Sequence, residues 1–243
     1  MKEPRPRSRP ADSRGSPWPA RCSVGLPRDI VRPTRTFDDV LTSRRSLRKL
    51  AKASLRETLS ILQYARHERA KWEHEGLLRY SRPNESAGAL HSVDVLLVTR
   101  TGNPRVWFHD PRHRTIASLT VANETRLRDF LQDVDGIVPG ARGCDLLVLA
   151  GDLQHLEQAY ADALPLLYRD AGALLQTINL CATASDLGSC SLGITGSALL
   201  DAVAVGSGIH ACGVAVIGRC DPIDPMPLDN RLQHADMPPD ERV

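Results

Sequence analysis

The chain of 243 residues is 42% hydrophobic and 25% charged with a formal net charge of +2, which supplies one ordinary core and excludes wholesale disorder and a dedicated polyanion binder. That average hides an asymmetry: residues 1–50 hold 13 Lys and Arg against 5 Asp and Glu, so the front end carries +8 and the remaining 193 residues carry −6. No apolar run approaches the ~20 residues that span a bilayer, and Met1–Ala20 alternates Pro and Arg where a signal peptide has an apolar core, so the sequence reads as cytoplasmic.

Residues 1–35, rich in Pro, Arg and Ser without apolar periodicity, read as a disordered basic arm. Its few, interrupted arginines fit a solvated tail better than a nucleic-acid contact. Residues 36–220 carry the periodic patterns of one domain. Phe37, Val40 and Leu41, then Leu55, Leu59, Ile61 and Leu62, predict two helices, the second capped by Ser54 with Glu57 completing a capping box. A charged stretch runs through Glu75, an irregular loop covers Arg82–Ala89, and Val93–Val98 predicts a buried strand. Arg105–Asp110, after the turn at Gly102-Asn103-Pro104, predicts its antiparallel partner. Ala117–Asp133 reads as helix and Asp145–Ala150 as a central strand. Leu166–Leu187 is the longest helical pattern, apolar on most faces. A glycine-rich turn follows at Gly188–Gly196, then a short helix Ser197–Val205 and a buried strand Ala211–Gly218. Residues 221–243 form a Pro-rich extended tail that packs on the domain or on a partner subunit. Strands interleaved with helices make the chain α+β.

Chemistry concentrates at three places. Ser43-Arg44-Arg45-Ser46-Leu47-Arg48 sets three guanidinium groups and two hydroxyls at a loop-to-helix boundary, the donors a phosphate monoester needs, although such clusters are also solvated faces. Ser86-Ala87-Gly88-Ala89 and Gly188-Ser189-Cys190-Ser191-Leu192-Gly193 offer closely approachable backbone, and each also fits a tight turn. The six cysteines form no CxxC pair and no zinc spacing, so reduced thiols are expected. His109 and His113 with Asp110 lack a fourth ligand, and no metal is expected. Neither GxGxxG nor GxxxxGK[ST] occurs.

In order and separation, these motifs, with Asp170-Ala171-Gly172 opening the long helix, resemble the nitroreductase-like FMN oxidoreductases, most of all the SagB-type dehydrogenases. The likeness covers about Phe37 to Arg231. It implies a central, mostly antiparallel sheet flanked by helices, and an obligate homodimer with two FMN sites at the subunit interface. Carried over, Arg44, Arg45, Ser46 and Arg48 meet the FMN phosphate and ribityl chain. Ser86, Ala87 and Gly88 lie against the isoalloxazine, Ser191, Leu192, Gly193 and Ile194 pass near flavin N5 and O4, and Arg231 returns to the phosphate. The implied reaction is hydride transfer between flavin N5 and a peptide-derived or small natural-product substrate, within a biosynthetic complex. Two departures stand out. Azoline oxidisers of this branch carry a Lys-Tyr pair shortly before the long helix, whereas here Tyr160 stands without a lysine, the only lysines being Lys2, Lys49, Lys52 and Lys71. His91 occupies a place where the family has an aromatic residue and a proline. Tyr160 and His91 are therefore the catalytic candidates. The missing lysine keeps two alternatives open: an NAD(P)H-dependent nitro or quinone reductase, and a catalytically silent scaffold subunit.

Overall fold

Three almost wholly apolar segments, Val93–Thr99, Asp145–Asp152 and Ile209–Cys220, pair side by side at the centre of an eight-stranded antiparallel sheet. Their side chains alternate between two cores. Val95, Leu97, Leu147 and Leu149 enter one, Leu96, Val98, Leu146 and Val148 the other, and none of the eight is exposed at all. A strand covered on both faces shows no polar alternation, which is why each reads as an unbroken apolar run.

The computed structural model describes residues 3–7, 17–18 and 20–220. The expected tail 221–243, with Arg231, lies outside the described residues. In chain order the elements are β1 (Arg5–Pro6), β2 (Ala20–Gly25), α1 (Phe37–Ser43), β3 (Leu50–Ala51), α2 (Leu55–Ala65), β4 (Ala70–His74), β5 (Leu77–Ser81), β6 (Val93–Thr99), β7 (Arg105–Asp110) and β8 (Thr115–Leu119). There follow α3 (Glu124–Ile137), β9 (Asp145–Asp152), α4 (Leu153–Glu157), β10 (Tyr160–Ala161), α5 (Leu164–Ala184), β11 (Leu187–Leu192), α6 (Ser197–Val203) and β12 (Ile209–Cys220). The sheet runs β11-β12-β9-β6-β7-β8-β2, with β3 also against β12. α2 and α5 cover one face through Leu59, Ile61, Leu62, Leu167, Leu174 and Ile178. α3 and α6 cover the other through Leu127, Phe130, Val134, Leu199 and Leu200.

Local chemistry explains the boundaries. Ser54 Oγ accepts from the Glu57 N–H at 3.3 Å while the Glu57 carboxylate takes the Ser54 N–H at 2.7 Å, so α2 opens on the expected capping box. Thr36 and Asp39 build the same device at α1.

Four stretches depart from the sequence expectation. Ala117–Leu119, expected in a helix, completes β8, and α3 begins only at Glu124 behind its Asn123 cap; pairing on both sides, with β7 and β2, overrides the helical pattern there. Within the expected glycine-rich turn, Gly188–Leu192 belongs to β11, and Gly188 serves packing, since a Cβ there would stand 2.9 Å from Leu47 Cδ1. The charged stretch before Glu75 is half of the β4–β5 hairpin, which turns through Glu75 and Gly76 at φ 53° and 74°. Part of the arm is ordered as well: β2 pairs with β8 and β1 with β10, because backbone pairing at a sheet edge needs no apolar side chains. Trp18, 6% exposed, stacks on Phe108 at 5.6 Å and donates Nε1 to Asp94. No helix among the described residues is long and apolar enough to cross a membrane. All six cysteines are free, and burial pushes the Cys181 and Cys212 thiols up to about 11.

Candidate functional site

The loop between β5 and β6 is held in an unusual backbone. Gly88, Ala89 and His91 all have φ between 51° and 56°, the left-handed region that residues bearing a Cβ rarely adopt. Strain of this kind persists only where surrounding bonds enforce it. Here the enforcing group is Asp170 of α5, 3% exposed: one carboxylate oxygen accepts from Ser86 Oγ at 2.7 Å and from the Ala87 N–H at 2.8 Å. Ser86 Oγ in turn accepts from the His91 N–H at 2.8 Å, and Arg79 Nη1 donates to the Gly88 carbonyl. Burial pushes the Asp170 carboxyl up, while the Ser86 hydroxyl and the Ala87 N–H pull it back.

Tyr160, in β10, stands over the same loop. A Cβ on Gly88 would lie 2.9 Å from the Tyr160 hydroxyl, so Gly88 is required both by its φ and by that close approach. His91 Nε2 lies 3.0 Å from the Tyr80 carbonyl, an acceptor, so Nε2 carries the proton. Burial, then the charge of Arg82, pushes the His91 ring down to about 4. At neutral pH His91 is thus a neutral ring that ties the loop to β5, and a proton donor near pH 7 it is not.

The second cluster gathers on β11. After α1 the chain passes beside this edge strand, where Ser46 forms a parallel bridge with Ser189 and the Leu47 N–H donates to the Ser189 carbonyl at 2.9 Å. Arg44, Arg45 and Arg48 flank that contact, and among the described residues none of the three has a carboxylate partner. Arg45 Nη1 folds back on the Thr42 and Arg44 carbonyls, and Arg48 lies near enough to draw the Cys190 thiol down against its burial. Ser191 and Leu192 end the same strand, and Gly193 and Ile194 follow it. Asn179 of α5 donates Nδ2 to Ser191 Oγ at 3.1 Å, and its buried Oδ1 has no partner.

The structure therefore unites Arg44–Arg48 with Ser191–Ile194 through β11, and Ser86–Gly88 with Tyr160 and His91 around Asp170. It holds the two groups apart. Asp170 and Asn179 sit nine residues apart on one helix, ~14 Å of rise. A polar cleft of about 100 Å³ adjoins the loop, lined by Tyr80, Arg82, His91, Asp152 and His155 among others, and contains none of the residues expected to hold FMN. Behind it Arg66, 1% exposed, donates to Asp94 at 2.8 Å and to the His109 carbonyl at 2.8 Å. His109 is thereby engaged in the interior while His113 is exposed, and no three metal-binding groups cluster among the described residues. Sequence reasoning passed over Asp170 and Arg79 as site residues. A lone aspartate on the buried face of an apolar helix was the available signal for the first.

No family model and no curated protein matches the sequence. Solved structures do match in fold. A protein of Ralstonia eutropha JMP134 proposed to be a nitroreductase superposes with a TM-score of 0.61 at 20% identity, over 88% of this chain and 94% of that one. A nitroreductase family protein of Clostridium novyi NT gives 0.52 at 12%, over 78% and 87%. A chain of the Escherichia coli microcin synthetase McbBCD complex, with truncated pro-MccB17 bound, gives 0.55 at 16%, over 82% and 78%. The chain has the nitroreductase fold, an α+β architecture with a large antiparallel sheet flanked by helices.

Two measurements check this geometry. Asp170→Ala leaves the Ser86 hydroxyl and the Ala87 N–H without their acceptor, at about 1–3 kcal/mol each. Urea unfolding is expected to show a loss of ~2–6 kcal/mol, with faster hydrogen exchange at Ala87 and His91; unchanged protection would contradict the anchoring role. The His91 ring, depressed from 6.5 to about 4, takes up its proton later in the folded than in the unfolded chain. Its contribution is full above pH 6.5 and is lost as pH falls toward 4. The wild-type urea midpoint is expected to fall more steeply across that window than that of His91→Gln, and parallel curves would contradict the burial.

Proposed function

We propose that the protein is an FMN-dependent oxidoreductase that works as a homodimer. The observation that carries this reading is the segment Arg44–Arg48, docked on β11 through the backbone of Ser46 and Leu47, whose three guanidinium groups have no carboxylate partner among the described residues. Forked donors beside one strand edge, uncompensated by carboxylates although Arg45 Nη1 is held by two carbonyls, fit a dianionic phosphate. The two halves, anchored ~14 Å apart along α5, combine when the Ser86–Gly88 loop of one subunit meets the arginines and Ser191–Ile194 of the other. The apolar groups exposed on α1 and α5, namely Phe37, Leu41, Leu164 and Tyr168, suit such a contact.

FMN held there supplies the hydride chemistry. The chain's part is to fix it: Arg44, Arg45, Ser46 and Arg48, joined by Arg231, hold the phosphate and ribityl chain, and Ser191–Ile194 line the ring. The Asp170-anchored Ser86–Gly88 loop offers a flat surface of small residues. Tyr160 is the group placed to touch substrate, and His91 positions the loop. A SagB-type role on a peptide-derived or small natural-product substrate, inside a biosynthetic complex, accords with the likeness to a chain of the McbBCD synthetase. The absence of a lysine beside Tyr160 favours one second reading, reduction of a nitro-aromatic or quinone by NAD(P)H. Rapid bleaching of bound flavin by NAD(P)H would select that second reading.

The test is an FMN titration of the wild type against the Arg44→Ala/Arg48→Ala double variant. Loss of two charge-assisted contacts is expected to weaken FMN binding by ~100-fold or more with the circular dichroism unchanged. Undiminished FMN retention would overturn the phosphate assignment.

A further inference from the structure

Away from both clusters, a cavity of about 350 Å³ opens between the C-terminal end of α2, the β7–β8 hairpin and the connector after β2. The frame is tied at two points. The Leu26 N–H donates to the Arg114 carbonyl at 2.8 Å and the Val31 N–H to Ser60 Oγ at 2.9 Å, so the connector is fastened to the hairpin and to the helix. The volume is that of a small organic ligand.

Two of its lining residues, Gln63 and His109, carry buried donors with no acceptor. Arg66 Nη1 lies 3.3 Å from His109 Nδ1. A guanidinium can only donate, so Nδ1 accepts and the ring proton sits on Nε2, the atom without a partner. His109 is 1% exposed, and burial with the Arg66 charge keeps the ring neutral. Arg114 Nη2 lies 3.3 Å from Gln63 Oε1, which fixes the amide orientation and leaves the Gln63 Nε2 protons unpaired. A buried donor left unsatisfied costs about 1–3 kcal/mol, so two on one wall call for an acceptor.

Charge sharpens the class. Arg66 is neutralised by Asp94 and Arg112 faces Asp110 at 3.7 Å, while Arg114 has no carboxylate partner among the described residues. Glu68, the one acid on the wall, has its charge opposed by Arg82 at 3.7 Å, although its buried Oε2 accepts no hydrogen bond. The remainder of the wall includes the side chains of Leu26, Ile30, Tyr64 and Pro111. One uncompensated cation, two orphaned donors and an apolar lining match a single anionic head on an apolar body.

We infer that this cavity binds a small organic monocarboxylate, its carboxylate taken by Gln63 Nε2, His109 Nε2 and Arg114 and its body by Leu26, Ile30 and Pro111. The inference does not rest on the FMN reading, because none of these residues belongs to the proposed flavin site.

The probe is hexanoate, titrated into the full chain and followed by backbone amide shifts, with hexanamide and inorganic phosphate as controls. Saturable binding is expected, with shifts centred on Gln63, His109 and Arg114, and with hexanamide ~10-fold or more weaker for want of charge. Arg114 is exposed, so Arg114→Gln folds, and it is expected to weaken hexanoate by ~10-fold or more; Gln63→Leu is expected to weaken it several-fold. The assignment is overturned by any of three results: no saturation up to about 10 mM, shifts confined to Ser86–His91 or Ser191–Ile194, or equal affinity in wild type and Arg114→Gln. Phosphate binding as tightly as hexanoate would equally reject it in favour of a plain anion patch.

Discussion

The grip of Asp170 on Ser86 and Ala87 is the interaction on which the candidate site depends. It is made from the buried face of α5, the same helix whose Asn179 holds Ser191 nine residues later. α5 is therefore a ruler. Its side toward the sheet is pinned by Leu167, Leu174 and Ile178 among strands buried on both faces, and a packed helix of this kind deforms little. The two residues that anchor the loops are consequently held ~14 Å apart along the helix. On the reading proposed above, each of these two clusters is one half of a site that a second chain completes.

A second constraint lies under the loop, where charge is taken out of water. Arg66 is almost wholly buried and spends its donors on Asp94 and on the carbonyl and ring of His109. Its field, with that of Arg82, helps keep His91 and His109 neutral. Neutral rings with defined tautomers act as hydrogen-bonding struts, and both histidines do so here. The cleft beside the loop and the cavity between α2 and the hairpin share the hairpin residues Pro111 and Arg112 yet differ in the rest of their lining.

The central architecture was legible because burial on both faces writes continuous apolar runs, as in Val93–Val98 and Asp145–Ala150, and because Ser54 and Glu57 announce a helix start without ambiguity. Elements stabilised from elsewhere were not legible. β2 is exposed along its length and exists because β8 offers it an edge. β11 contains Gly188, Ser189 and Ser191, turn-like residues that are needed because Leu47 and the segment through Ser46 pack against that strand. The β4–β5 turn uses Glu75 where Asn or Asp would have signalled a tight hairpin. At the candidate site, what the sequence did not reveal was how the motif residues are held. His91 looked like a titrating group until its burial and its bond to the Tyr80 carbonyl were known, and Asp170 passed as part of a helix-opening motif because its partners lie more than eighty residues away in sequence.

The claim that two chains complete one another's half-sites is tested most directly by native mass spectrometry of the purified protein after incubation with FMN. The account predicts an assembly of two chains carrying two FMN molecules, with flavin and dimer lost together when the complex is dissociated. A monomer, or a dimer that takes up no FMN, would contradict it.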